Sequence, residues 1–194
     1  MGNKVPASAV DISAINTTHE LKAYFKTHHF IEGTEIHDQQ LDEIITSSLN
    51  GSMPLVVFQY LIDKIGNDLL NNEYDYIKAH LTYSDKSLYI ISKLHPYRLR
   101  DFVNYTFDVQ LLEHIMYYVI KKRVVSVLVT LIERYRKIDV SKLAQYHSLV
   151  LTNFHAEVME TFDKLDPTFD IKTALSEGQF KKYKKQLTAY YDSD

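Results

Sequence analysis

Along most of the chain, apolar residues return every three or four positions. That spacing lines one face of an α-helix; a half-buried strand would repeat every second residue. Leu21, Tyr24, Phe25 and His28 form one such face, and Thr17 with Glu20 three residues on has the form of a capping box at its start. A second helix is predicted from Asp38 to Leu49, stopped by Asn50-Gly51. Asn-Gly is also a hairpin signal, but strict alternation is missing on both sides of it. Ser52 and Pro54 read as the cap and first turn of a helix running through Leu70. Asn71-Asn72-Glu73 makes a joint, with helices following from Tyr74 to Leu81 and from Asp85 to Leu94.

His95-Pro96 interrupts the pattern, because a residue before proline avoids helical geometry. The longest predicted face comes next. Leu99, Phe102, Val103, Leu112, Ile115, Met116, Val119 and Ile120 read as one helix ending at Lys121-Lys122-Arg123, cations that suit a C-terminal dipole. Val124 to Ile132 is rich in β-branched residues and would suit a buried strand. Val124, Val127, Leu128, Leu131 and Tyr135 also share a helical face, however, and no partner strand is apparent, so helix is the expectation.

Further helices are predicted from Val140 to Leu151, from Ala156 to Leu165, and from Ser176 or Glu177 to Tyr191. In the last, Phe180, Tyr183, Leu187 and Tyr190 share a face flanked by Lys181, Lys182, Lys184 and Lys185. The predicted fold is all-α, an irregular array of packed helices. Residues 1–15 are expected to be a flexible start and 16–194 a single helical domain, with a candidate joint at 95–97.

Composition acts mainly by exclusion. The 194 residues carry 22 Lys plus Arg against 25 Asp plus Glu, a net charge of −3 that argues against a strongly basic nucleic-acid binder. The absence of Cys removes disulfides, thiolate metal sites and thiol nucleophiles together. Five scattered Gly supply no phosphate-cradling loop. Gly2 would be a myristoylation acceptor, but Pro6 stands where that motif carries Ser or Thr. No charged region followed by an apolar one marks a secretory signal. The longest uncharged stretch, Ile44 to Ile62, is broken by Ser47-Ser48-Leu49-Asn50-Gly51-Ser52, and a bilayer-spanning helix needs about 20 predominantly apolar residues. A soluble, cytosolic protein is expected, reaching a membrane only through partners. The 15 Tyr, set against no Trp, fit either half-wet contact surfaces or the codon bias of an AT-rich genome.

Nine His invite a metal reading. His28 and His29 are adjacent and point to different sides of a helix, and no two His stand four apart. Asp38, Asp42 and Glu43 beside His37 form a carboxylate cluster, which the dipole of a helix start already explains. Glu113-His114 has the elements of a general base, but neighbours on a helix project about 100° apart, which makes one a boundary residue and the other solvated. The basic groups Lys121-Lys122-Arg123, Arg134/Arg136/Lys137 and Lys181 to Lys185 read as solvated helix faces. No catalytic, metal-binding or cofactor-binding residue is assigned, and no cofactor is expected.

Four patches nevertheless resemble one family in the same order. Asn16-Thr17-Thr18-His19-Glu20-Leu21-Lys22 is similar to an element near the start of subunit d of vacuolar-type ATPases, a family that extends to archaeal-type counterparts. Leu99-Arg100-Asp101-Phe102 with Leu111-Leu112-Glu113-His114-Ile115 resembles its Leu-x-x-Phe helix and the Met-Ile-Asp-Asn-Val run that follows. Ala156-Glu157-Val158-Met159, Pro167 and Ser176-Glu177 resemble a later stretch, and Ala189-Tyr190 with Asp192-Ser193 a Lys-Ala-Tyr-Leu-Glu-Ser element about midway through that family's sequence. The chain matches only about the first half of the family's length and lacks its cysteines. The resemblance implies a non-catalytic adaptor of partial funnel shape on the cytoplasmic side of an endomembrane. Such an adaptor links the central stalk to the proteolipid ring and couples ATP hydrolysis elsewhere in the complex to proton transport. The alternative expectation is a lineage-specific helical scaffold protein of another large assembly.

Overall fold

The computed structural model describes residues 12–27 and 38–193, with side chains at 38–40 left aside. Every regular element among the described residues is helical, which establishes an all-α fold of many packed helices. Contacts divide the chain into two compact units, Met1–Leu94 and His95–Asp194. The expectation of a flexible start lies outside the described residues as far as residue 11. From there a short 3-10 turn, Ile12–Ala14, leads in, and Ile12 and Ile15 are buried.

The first unit contains α1 (Thr18–Thr27), α2 (Asp38–Asn50), α3 (Leu55–Ile65), α4 (Asn67–Asn72), α5 (Tyr74–Ile77) and α6 (Asp85–Lys93). The capping box at α1 forms: the Glu20 amide donates to Thr17 Oγ1 at 3.1 Å, and the Thr17 amide to Glu20 Oε2 at 3.2 Å. Helix α3 packs on α1 and α6, burying Phe58, Leu61 and Ile62. Burial of each such side chain is worth about 1.5–3 kcal/mol, so the apolar faces outweigh local propensity here.

Two expectations in this unit need correction. Ser52 does not cap α3, since its hydroxyl donates to the Ser13 carbonyl and Pro54 holds the extended N-cap position. Nor does α3 run to Leu70. Gly66 (φ 83°, ψ 157°) ends it and starts α4, in a conformation open to glycine and strained for other residues. The segment Tyr74 to Leu81 also tightens, its second half being the 3-10 turn Lys78–His80.

The second unit is organised around α9 (Val125–Ile138), which settles Val124 to Ile132 as helix. It packs against α7 (Pro96–Tyr105), α8 (Val109–Lys122) and α11 (Ala156–Leu165), and its residues Val127, Leu128, Leu131, Ile132 and Tyr135 are buried. Pro96 takes the first helical position of α7 behind an extended His95. A seven-residue 3-10 stretch, Val140–Tyr146, replaces the first part of the helix expected from Val140, and α10 (His147–Asn153) follows. Short α12 (Ile171–Ala174) precedes α13 (Glu177–Tyr191), whose capping box joins Ser176 and Gln179. Of the face predicted on α13, only Tyr183 is buried; Phe180 and Leu187 are half-buried and Tyr190 is exposed.

A candidate docking groove at the break between two helices

The single helix predicted across Leu99 to Ile120 is two helices, α7 and α8, separated by Thr106-Phe107-Asp108. Side chains at the break compete with the backbone ladder. The Asp108 carboxylate accepts the Leu111 amide at 3.1 Å and caps α8, while Thr106 Oγ1 accepts the Asp108 amide at 3.1 Å. At the end of α7, Arg134 reaches across from α9. Its Nη1 donates to the carbonyls of Val103 and Asn104, both at 2.7 Å, and its Nη2 to the carbonyl of Thr106. Carbonyls that a continuing helix would offer to residues 107 and 108 are thus taken by a guanidinium. An Asp three residues before an apolar run is an N-cap signal. The expectation of a single helix passes over a phase shift as well: Val103 and Leu112 are nine residues apart, about 180° on one helix, so the buried faces of α7 and α8 do not continue one another.

The break leaves Phe107 90% exposed, the most exposed large apolar side chain described, with the Arg134 guanidinium 5.4 Å from its ring centroid. Beside it lies an open groove of about 690 Å³. It is lined by Asn104 of α7, Phe107 of the break, and Val109 and Leu112 of α8, of which Leu112 is buried and Val109 exposed. From α9, Thr130, Glu133 and Lys137 line it at three- and four-residue steps, and Arg134 and Ile138 follow the same spacing one position on. The lining residues Val109 and Ile138 are 46% and 57% exposed, and Tyr105, the last residue of α7, is 45% exposed. Arg134 Nε is buried without an acceptor among the described residues. The groove therefore offers apolar area, an aromatic lip and two exposed opposite charges on a scaffold whose backbone is held by side-chain hydrogen bonds.

The basic groups read as solvated faces are partly engaged. Arg134 is half-buried and structural, and Arg123, in left-handed conformation (φ 60°, ψ 37°), donates from Nε to His155 Nε2 at 2.7 Å. Desolvation, reinforced by the Arg123 charge, holds the His155 imidazole below its usual pKa. Lys181 pairs with Glu177 at 3.0 Å, and Lys182 sits 4.9 Å from the Phe154 ring centroid. On α8, Glu113 is half-buried and His114 exposed, its Nδ1 3.3 Å from the Gln110 carbonyl. His28, His29 and His37, the side chain of Asp38, and Gly2 lie outside the described residues; Asp42 and Glu43 sit on α2. Among the described residues no three His, Asp or Glu side chains come together as a metal set.

Two polar pairs, one part-buried and one buried, have no counterpart in the sequence pattern. His147 Nε2 lies 2.6 Å from Asp166 Oδ2, while Oδ1 of the same fully buried carboxylate accepts the Thr168 amide and hydroxyl at 2.9 and 2.7 Å. This ties α10 to the turn after α11. The Tyr135 and Tyr146 hydroxyls meet at 3.0 Å, and burial raises the pKa of both phenols. Both pairs cross between separate elements of the chain, which single-helix periodicity does not register.

No helix among the described residues is long and apolar enough to cross a membrane. No family model, curated protein or solved structure matches the chain.

Proposed function

We propose that this chain is a non-catalytic structural component that joins a protein assembly through the groove at Phe107. The observation that supports this is the 90% exposure of Phe107 at a break held by Arg134, Thr106 and Asp108. A large aromatic kept in water on a fixed backbone costs solubility and adds little to folding; covered by a partner, it is the kind of anchor that dominates an interface.

The sequence resemblance names the assembly: a vacuolar-type ATPase, in which the chain would link stalk to ring as subunit d does. That part of the proposal rests on the four sequence patches alone. The alternative assembly is another large complex that uses the same groove.

The test is affinity purification of the tagged chain in mild detergent, with quantitative mass spectrometry, comparing wild type with Phe107→Asp. Stalk and proteolipid-ring proteins recovered in fixed ratio, and lost with Phe107→Asp, are the expected result. Recovery of a different assembly that depends equally on Phe107 overturns the rotary-ATPase assignment alone. Recovery unaffected by the substitution overturns the groove as docking surface.

A further inference from the structure

The groove has a property that its apolar lining alone does not require. Glu133 and Lys137 stand four residues apart on the exposed face of α9, one turn or about 6 Å along the axis. Among the described residues neither is engaged in an ion pair. An acid and a base at this spacing form a pattern that is complementary to itself. When two copies of α9 meet antiparallel about a two-fold axis, Glu133 of each faces the partner's Lys137, and both pairs form at once. Thr130, a small residue on the same face, lets the two helices approach.

The apolar features obey the same symmetry. Phe107 is a projecting ring and the 690 Å³ groove beside it is an unfilled recess, so both knob and hole lie on one patch of one chain. An isologous contact places each knob in the other copy's hole, with Val109 and Ile138 covered at its edge.

We infer that the free chain pairs with a second copy of itself through this patch, α9 against α9, with Phe107 of each copy in the groove of the other. The inference rests on the reading of the groove as a protein-docking surface and names what covers it in the free chain, before any assembly partner displaces the second copy. A contact built on one aromatic and two exposed ion pairs is small, so the association is reversible and weakens with salt.

The experiment is analytical ultracentrifugation of the full chain over a wide concentration range, with Phe107→Ser, Glu133→Lys, Lys137→Glu and the double reversal Glu133→Lys/Lys137→Glu. Circular dichroism melts check that each variant is folded. The expected result is a concentration-dependent dimer in wild type, weakened about tenfold or more by Phe107→Ser and by each single reversal, which sets like charges against each other. The double reversal regenerates both ion pairs in the opposite sense and restores the dimer. A partner of any other sequence would not be matched by that double change.

A wild-type chain that stays monomeric throughout overturns the inference. So does a double variant no better than the singles, or a Phe107→Ser variant that pairs as well as wild type. If the chain is monomeric yet captures an assembly in a Phe107-dependent manner, self-pairing falls and the adaptor reading stands. If it pairs as described but captures nothing, the adaptor reading falls and the pairing stands.

Discussion

Both units solve the same problem, the unsatisfied carbonyls at the end of a helix, by reaching across with a long cation from another helix. In the first unit Lys86 of α6 donates to the carbonyls of Ser48 and Gly51, each at 2.8 Å, at the end of α2. In the second, Arg134 of α9 serves the carbonyls of Val103, Asn104 and Thr106 at the end of α7. What surrounds the cation differs. Lys86 lies 5.6 Å from the ring of buried Phe58, and burial lowers the pKa of its ammonium. Gly51 lies so close to Ser13 that a Cβ there would sit 2.6 Å from Ser13 Cβ. Arg134 instead lies under exposed Phe107 beside an open groove. A point charge with rotatable donors is enough where the chain closes tightly, whereas a planar fork reaches three carbonyls and holds a loop open. One device thus serves packing in one unit and presentation of a surface in the other.

The comparison can be broken most severely at Arg134. Arg134→Ala leaves three carbonyls without their donor and should cost about 3 kcal/mol. Arg134→Lys should recover part of that, since an ammonium in the Lys86 manner serves two acceptors; chemical denaturation of the three proteins measures it. Next is Gly51→Ala, expected to cost about 2 kcal/mol through overpacking against Ser13, with a larger loss for Gly51→Val.

A third test sets a carbonyl acceptor, which does not titrate in this range, against an imidazole, which does. Because the folded pKa of His155 lies below 6.5, its contribution is complete above about 6.5. As pH falls from there through the folded value, the unfolded chain binds the proton first and stability is lost. Arg123→Gln should shrink that loss, because it removes one cause of the lowered pKa, whereas Arg134→Lys should leave the pH dependence of His155 unchanged; NMR titration of His155 with melts across the same pH range reads both. The smallest effect is expected from Phe107→Ser, within about 0.5 kcal/mol, because a side chain 90% exposed has little packing to lose. A large loss there would mean that the lip helps hold the break, and the contrast between a closed and a presenting cap would be wrong.

The elements legible in advance are those whose signals are local. The Thr17/Glu20 box, the stop at Asn50-Gly51, the Pro96 start and the span Ala156–Leu165 all appear where short-range chemistry places them. Three kinds of event are not legible in this way. Gly66 divides a continuous apolar face through backbone conformation alone. The 3-10 stretch Val140–Tyr146 tightens a predicted helix, with Leu143 and Tyr146 buried. The break at Thr106-Phe107-Asp108 carries a readable cap in Asp108, but its decisive partner, Arg134, lies 28 residues further on from Thr106. The groove follows from that break, so the candidate site is invisible in the sequence for the same reason.

What the amino-acid order determined by itself is the class of the fold: apolar residues at helical spacing, capped by Thr17, Ser84, Asp108 and Ser176, bury area only as packed helices. What the tertiary structure alone decided is which helix ends are covered and which remain open. A terminal carbonyl is satisfied by whatever donor the fold brings within about 3 Å, and that donor need not be near it in sequence. Here Lys86 arrives with a closed core behind it, and Arg134 arrives beside a groove with an exposed phenyl ring at its lip.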